Sequence, residues 1–323
     1  MQRLDYIDLA KGLGILLVVI GHGILRNFGI SVFHMPLFFF LAGLTFTPPT
    51  TTNGSLGVFV LKKFNRIFIP WVFFSLVSGI AELFIGRIQP QALFNGPLWF
   101  LECLICTLAI YVVLHSLFKS VVILHLFVGS IPVCVYFLSN YTMASAVLPF
   151  EIIRALYAVV YLHLGWCFKN YRLEEKSNVY ANLIIALTLY LLGLYISVNN
   201  YELHGADFYN SRAYTYDIIL PIVTATSAIL LVICISCIFK KIRFINWLGI
   251  NSLVIMAVHY PIQERLNQLV FFCFTDLGLS SPLIKLLLVM TAYAIDIGCC
   301  AIFIVIFKKY LPKLTGYGNL IPL

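Results

Sequence analysis

Apolar and polar positions along this chain follow neither the period of two of a half-buried strand nor the narrow stripe of a soluble amphipathic helix. They form long, nearly unbroken apolar stretches separated by short polar connections. Ten stretches cover residues 9–28, 32–47, 67–86, 97–118, 121–138, 147–168, 180–199, 217–239, 247–271 and 283–307. A helix needs about 20 apolar residues to cross a bilayer, and in lipid only helices and closed barrels satisfy their own backbone. Barrel-type alternation is missing, so each stretch is predicted to be a helix. The pattern predicts an all-α integral membrane protein of about ten transmembrane helices. It reads as one polytopic unit over residues 1–323, with no appended soluble domain. The first stretch has no small-residue cleavage site and carries His22 near its far end, so it reads as a retained helix rather than a signal peptide.

Composition agrees. Of 323 residues, 61% are apolar and 11% charged, and the mean hydropathy is +0.98. Soluble domains sit near half apolar and a quarter charged, so this chain has too little polar surface to coat a soluble particle. The net charge of +8 is then a topology signal rather than a nucleic-acid footprint, and no nucleic-acid partner is expected. With the N-terminus inside, the cytoplasmic connections hold Arg3, Lys11, Lys62, Lys63, Arg66, Lys119, Lys169, Arg172, Lys176, Lys240, Lys241, Arg243, Lys308, Lys309 and Lys313, the majority of the 21 basic residues. Both termini are therefore expected in the cytoplasm, in a cell inner or plasma membrane. The longest external connection, Asn199 to Tyr216, is polar and Tyr-rich, either a lid over an acceptor or an ordinary solvated loop.

The nine cysteines all lie in or beside apolar stretches. Cys103/Cys106 and Cys234/Cys237 have C-x-x-C spacing but no His or Cys neighbours in sequence to complete a zinc or redox site, so they read as packing residues and no metal is expected. No repeat of 20 to 50 residues stands out. One echo does: His34-Met35-Pro36 opens the second stretch and His259-Tyr260-Pro261 lies in the ninth.

Ionisable groups inside a membrane are costly to hold, so each is a functional candidate. They include His22, Glu82, Glu102, Glu151, Arg154, His163, His259, Glu264, Arg265 and Asp296. Lys11 and His22 lie eleven residues apart, which on a helix returns to the same face about 16 Å further along. That face presents a cation near one membrane surface and an imidazole deep in the apolar run. A neutral imidazole suits a general base taking a proton from an alcohol; the structural alternative is a histidine hydrogen-bonded between helices. Lys62, Lys63 and Arg66 at the mouth of the third stretch suit a phosphorylated ligand, and equally a positive-inside anchor. Glu151 and Arg154, three residues apart, face one side of a helix and can neutralise each other. Glu82, His163 and Asp296 read as interhelical hydrogen-bonding groups.

The succession Asp8-x-x-Lys11-Gly12, Gly21-His22, His34-Met35-Pro36-Leu37-Phe38-Phe39, Arg66-x-x-x-Pro70, Leu98-Trp99-Phe100-Leu101 and Leu248-Gly249 with Ser252, His259 and Pro261 resembles the membrane-bound acyltransferase family 3. Within it, the chain looks like the branch of fucose 4-O-acetylase and similar surface-glycan acetyltransferases. The resemblance runs over essentially the whole chain. It implies transfer of an acetyl group from acetyl-CoA to a sugar hydroxyl of an exported or cell-surface glycan. The family's basic residue, commonly Arg, falls on Lys11, and its essential His on His22. Lys keeps the charge but loses the bidentate fork.

Joined to the residue pattern, the resemblance implies acetyl-CoA phosphates near Lys62, Lys63 and Arg66 and the thioester near His22 as base. His259, Asn251 or Ser252 would polarise the oxyanion or orient the sugar. His34, Trp99, Glu102, Glu151 and Arg154 are candidates for acceptor contacts. No metal takes part in this scheme. The alternative from another class is a transporter or flippase of a lipid-linked glycan precursor, for which midplane polar groups and Pro-containing helices also serve.

Overall fold

A computed structural model describes residues 5–24, 29–49, 56–84, 98–141, 152–173, 178–200, 219–278 and 281–322. Among these, all regular structure is helical. In chain order the helices are α1 (Asp5–His22), a 3-10 turn (Ile30–Val32), α2 (His34–Leu44), α3 (Leu56–Lys63), a π-helical turn (Phe64–Phe68), α4 (Ile69–Phe84), α5 (Trp99–Leu117), α6 (Val121–Tyr141), α7 (Ile152–Asn170), α8 (Val179–Asn200), α9 (Ile219–Phe239), α10 (Arg243–Ile250), α11 (Ser252–Thr275) and α12 (Pro282–Tyr310).

Five of these, α5, α7, α8 (over Val179–Ile196), α9 and α12, are long and apolar enough to cross a membrane, and α10 with α11 makes a sixth if the bent pair is one span. Their environments differ: 61% of α7 is buried inside the protein but only 11% of Val179–Ile196. The outer helices turn large apolar side chains such as Leu126, Leu191, Leu283 and Val305 outward, where a soluble protein would place polar groups and a membrane places acyl chains.

Two expectations change in detail. The apolar stretch 247–271 is two helices rather than one: α10 and α11 meet at Asn251 with a bend of 85°. The first helix ends at His22 rather than running on through the stretch to residue 28, with Gly23 N–H turning back to the Ile20 carbonyl at 3.1 Å, so His22, expected deep in the apolar run, is the last residue of the helix. The external loop over residues 201–216 lies outside the described residues.

The centre of the molecule is α2, almost every residue of which is buried. It is apolar all round, as a helix with neighbours on every side must be. It packs against α7 and α1, while α7 carries α5 and α6 on its other flanks and α1 carries α9, α10 and α11. Glycine makes the two tightest crossings. A Cβ on Gly43 would collide with the Leu162 carbonyl and one on Gly165 with the Phe40 carbonyl, so α2 and α7 meet backbone to backbone. Gly12 and Gly249 do the same for α1 and α10, against the Ile245 and Asp8 carbonyls.

At the end where α1 begins, the chain is tied by polar contacts. Asp5 pairs with Lys241 at 3.1 Å, and Asn246 Nδ2 donates to the Asp5 carbonyl at 2.8 Å. The C-terminal tail folds back here onto buried Asn65, whose Nδ2 donates to the Ile321 carbonyl and whose Oδ1 accepts the Leu320 and Ile321 amides, all near 3.0 Å. Asn65 stands in the π turn, where Pro70 offers no N–H to the Arg66 carbonyl four residues back and Ile69 N–H bonds Phe64 five back instead. Asn65→Ala is expected to release the tail, at a cost of about 1–3 kcal/mol for the buried groups left unpaired. Faster hydrogen exchange over residues 311–322 is the measurement that checks it; unchanged protection would refute the clamp.

Candidate active site

The first imidazole stands at the end of α1, whose sequence alternates apolar bulk with Gly12, Gly14 and Gly21 and so approaches its neighbours closely. The second, His34, begins α2. The chain arrives there through Gly29, whose φ of 72° is open to glycine at little cost, and the 3-10 turn that follows. His34 Nδ1 lies 2.8 Å from the Ile30 carbonyl. The third, His259, sits two turns into α11, with Nδ1 at 2.9 Å from the Ile255 carbonyl and 3.0 Å from that of Met256.

These three residues, far apart in sequence, converge. The ring of His22 lies 5.3 Å from that of His259 and 6.2 Å from that of His34, centre to centre, and Tyr260 stands edge-on to His22 at 5.7 Å. His34 and His259 are buried. A carbonyl oxygen only accepts hydrogen bonds, so Nδ1 of each must carry the proton. In the neutral ring Nε2 is then the lone-pair nitrogen. For His259 that atom is buried and makes no hydrogen bond among the described residues.

Gln263 stands one turn further along α11. Its Nε2 donates to the Val19 carbonyl at 2.6 Å, and its Oε1 is also buried without a partner among the described residues. Asn267, one more turn on, donates to the His22 carbonyl at 3.4 Å. Gln263 and Asn267 are not among the ionisable residues that the sequence singles out. The signal was available: His259, Gln263 and Asn267 recur at four-residue spacing in an apolar stretch, one polar stripe on one face. Buried polar atoms normally find partners, so two that do not, one turn apart beside His22, mark where a polar ligand would be received.

A second group lies toward the start of α1. Lys63 is half-buried, with Nζ 5.5 Å from the centre of the Phe59 ring. Burial, with the like charges of Lys11 and Arg66 nearby, pushes its ammonium down to about 8. Lys11 therefore joins Lys63 and exposed Arg66 across α1 and the α3 end, and Lys62, next to Lys63 in the chain, is exposed. Helical rise puts this cation group about 16 Å from the imidazoles along α1.

The other candidates fall elsewhere. Arg154 lies over the Trp99 ring at 5.2 Å, and Glu102 is buried one turn along α5. The Phe100 ring, against Phe38 and Phe39 of α2, connects this group to the helix that begins with His34. Glu151 lies outside the described residues, and with it the pairing expected with Arg154. Asn251 is placed at the α10–α11 bend, with Nδ2 on the Trp247 carbonyl at 2.6 Å and Oδ1 accepting the Tyr317 hydroxyl at 2.7 Å. Both its amide atoms are thus used by the fold, two helical turns from His259. Ser252 sits beside it at the same bend.

A polytopic helical membrane protein with imidazoles converging in its apolar interior and cations gathered at one end has the parts of a group-transfer site. The family model described as an acyltransferase domain, of acyltransferase family 3, matches residues 4–315, and the chain belongs to that family. It is a membrane acyltransferase. No curated protein matches the chain, and no solved structure does.

Proposed function

We propose that the protein is an O-acetyltransferase of the glycan-modifying branch, moving an acetyl group from acetyl-CoA to a sugar hydroxyl of a surface or exported glycan. The observation that carries the chemistry is the placement of His22 against buried His259, whose Nδ1 is spent on backbone and whose Nε2 stays open. Acetyl-CoA would enter at the end where α1 begins, with its phosphates among Lys11, Lys63 and Arg66. Its pantetheine arm would follow α1 to bring the thioester to His22. We take that end as cytoplasmic, because Lys11 of α1, Lys63 at the end of α3, Lys241 just before α10 and Lys308 at the end of α12 gather there, and assign both chain termini to it, with ten helices in or across the bilayer.

In this scheme His22 takes the proton of the acceptor hydroxyl as its oxygen attacks the thioester carbonyl. The C–S bond then breaks, and the departing thiolate takes the proton from His22. Neutral His259 has an acceptor rather than a donor at Nε2, so its role is to orient the sugar by accepting from a second hydroxyl beside the attacking one. The Tyr260 hydroxyl, on the ring packed against His22, is the neutral donor for the developing oxyanion. Trp99, Glu102 and Arg154 would hold further sugar hydroxyls.

The test is mass spectrometry of surface glycans from cells lacking the protein, with and without the wild-type gene restored. An acetyl-sized increment that returns with the gene supports the assignment. Restored glycan export with no change in acylation would overturn it in favour of transport.

Lys63 supplies a pH signature. Its charge is present below about 8 and lost as pH rises through that value, and with it goes part of the attraction for phosphate. The donor kcat/KM is expected to fall severalfold on the alkaline side. Lys63→Arg, which stays charged throughout, is expected to remove that fall. Identical alkaline profiles for the two proteins would take Lys63 out of the donor site.

A further inference from the structure

Away from the imidazole cluster, three metal-ligating side chains meet between α6 and α7. His125 Nδ1 lies 2.7 Å from His163 Nε2, and Cys167 Sγ lies 3.6 Å from His163 Nε2 and 3.9 Å from His125 Nδ1. All three atoms lie within 4.8 Å of one another. His163 and Cys167 are one turn apart on α7 and share a face; His125 comes across from α6. The remaining ring nitrogens are both engaged: His163 Nδ1 is 2.8 Å from the Tyr111 hydroxyl, and His125 Nε2 is 2.8 Å from the Tyr171 hydroxyl.

We propose that His125, His163 and Cys167 form a binding site for a divalent zinc-class ion. Tetrahedral zinc with Zn–N near 2.0–2.1 Å and Zn–S near 2.3 Å separates its nitrogen ligands by roughly 3.3 Å and nitrogen from sulfur by roughly 3.6 Å. The two N···S distances already stand close to that spacing, and the two imidazoles need only part by about half an ångström. Two neutral histidines and one thiolate are the soft and borderline donors zinc prefers, and they leave a fourth position for water.

The outer partners fit as well. A ligating imidazole holds its tautomer by donating the other N–H to an oxygen, and Tyr111 and Tyr171 stand where those donors would point. Binding replaces the hydrogen bond between the two imidazoles: the shared proton moves to the outer nitrogen of the same ring, the Cys167 thiol loses its proton to solvent, and Sγ, Nδ1 and Nε2 each donate a lone pair to the ion. One proton is released per ion bound, and nothing is oxidised or reduced. His125 and Cys167 are half-buried and Tyr171 is 44% exposed, so an ion reaches the site from the α7 end that carries Lys169 and Arg172.

This departs from the expectation of no metal, which rested on C-x-x-C pairs. Cys167 belongs to neither pair, and 42 residues separate it from His125. The site is independent of the acetyl-transfer proposal.

The experiment takes the full-length protein in detergent, stripped with chelator and dialysed against Zn2+, with zinc counted by elemental mass spectrometry. Wild type is expected to hold one ion per chain; Cys167→Ser and His125→Ala, eluting as the same monodisperse species, are expected to lose it. With Co2+, wild type should show a thiolate-to-cobalt charge-transfer band that Cys167→Ser lacks. Tyr171→Phe, which removes no ligand, should weaken binding about 10–100-fold. Equal zinc in wild type and Cys167→Ser, or identical cobalt spectra, would overturn the proposal and leave a Tyr–His–His–Tyr hydrogen-bond chain in its place.

Discussion

His22→Ala is expected to lower the turnover of acyl transfer by roughly 10²–10⁴-fold, the range a positioned general base contributes, with the protein still folded. The separation of effects follows from where His22 stands. Its ring is half-exposed at the end of α1 and makes ring contacts with His34, His259 and Tyr260, so truncation removes reactive chemistry without opening the tightly packed α2 core. His259→Ala removes an imidazole anchored to two carbonyls of its own helix. It should raise the acceptor KM along with its effect on kcat, as loss of an orienting group does. The measurement is acetyl incorporation by membranes carrying matched amounts of each protein. Undiminished incorporation by His22→Ala would remove His22 from catalysis.

Gly165→Leu is expected to abolish accumulation of folded protein. The site has no give: a Cβ at Gly165 would meet the Phe40 carbonyl, and its counterpart at Gly43 meets the Leu162 carbonyl. Backbone atoms on both sides must separate to admit even a methyl group. Such overpacking of a tight site falls among the few mechanisms that cost more than about 4 kcal/mol, and the loss strikes the crossing of α2 with α7 on which both the imidazoles and the α5–α7 group depend. Gly129 provides the contrast, since a Cβ there meets nothing within 4 Å. Gly129→Ala in the interior of α6 should be neutral or stabilising by about 0.5–1 kcal/mol. Fluorescence-detected size exclusion of the two variants checks the pair; a monodisperse Gly165→Leu would show that the crossing can spread.

Much of the candidate site was legible in the chain. His22 and His259 stand out because an ionisable group in an apolar run is rare and costly. Lys11 and His22 belong to one helix face by periodicity alone, and the α3 cations announce themselves as a cluster. Gln263 was hidden because an amide carries no charge to betray it, although its spacing from His259 was there to see. His125 was hidden for a different reason: no local pattern links it to His163 and Cys167, and only the packing of α6 on α7 brings them together. Asn251 illustrates the reverse. Its place in a family-like motif pointed to chemistry, but the structure employs its amide in joining the α10–α11 bend to the C-terminal tail.

The sequence by itself determined that this is a helical membrane protein, the order of its helices and the family to which it belongs. Those properties depend on the length and apolarity of local runs, and on a lipid environment that forces each run to satisfy its own backbone. Tertiary structure decided which polar groups meet. In a bilayer lipid tails are as apolar as leucine, so the apolar runs carry little information about their partners. Partnership is decided by close approaches such as Gly43 with Gly165 and Gly12 with Gly249, and by hydrogen bonds between helices such as that from Gln263 to Val19. Those contacts draw three histidines from α1, α2 and α11 into one place and set the zinc-type triad between α6 and α7.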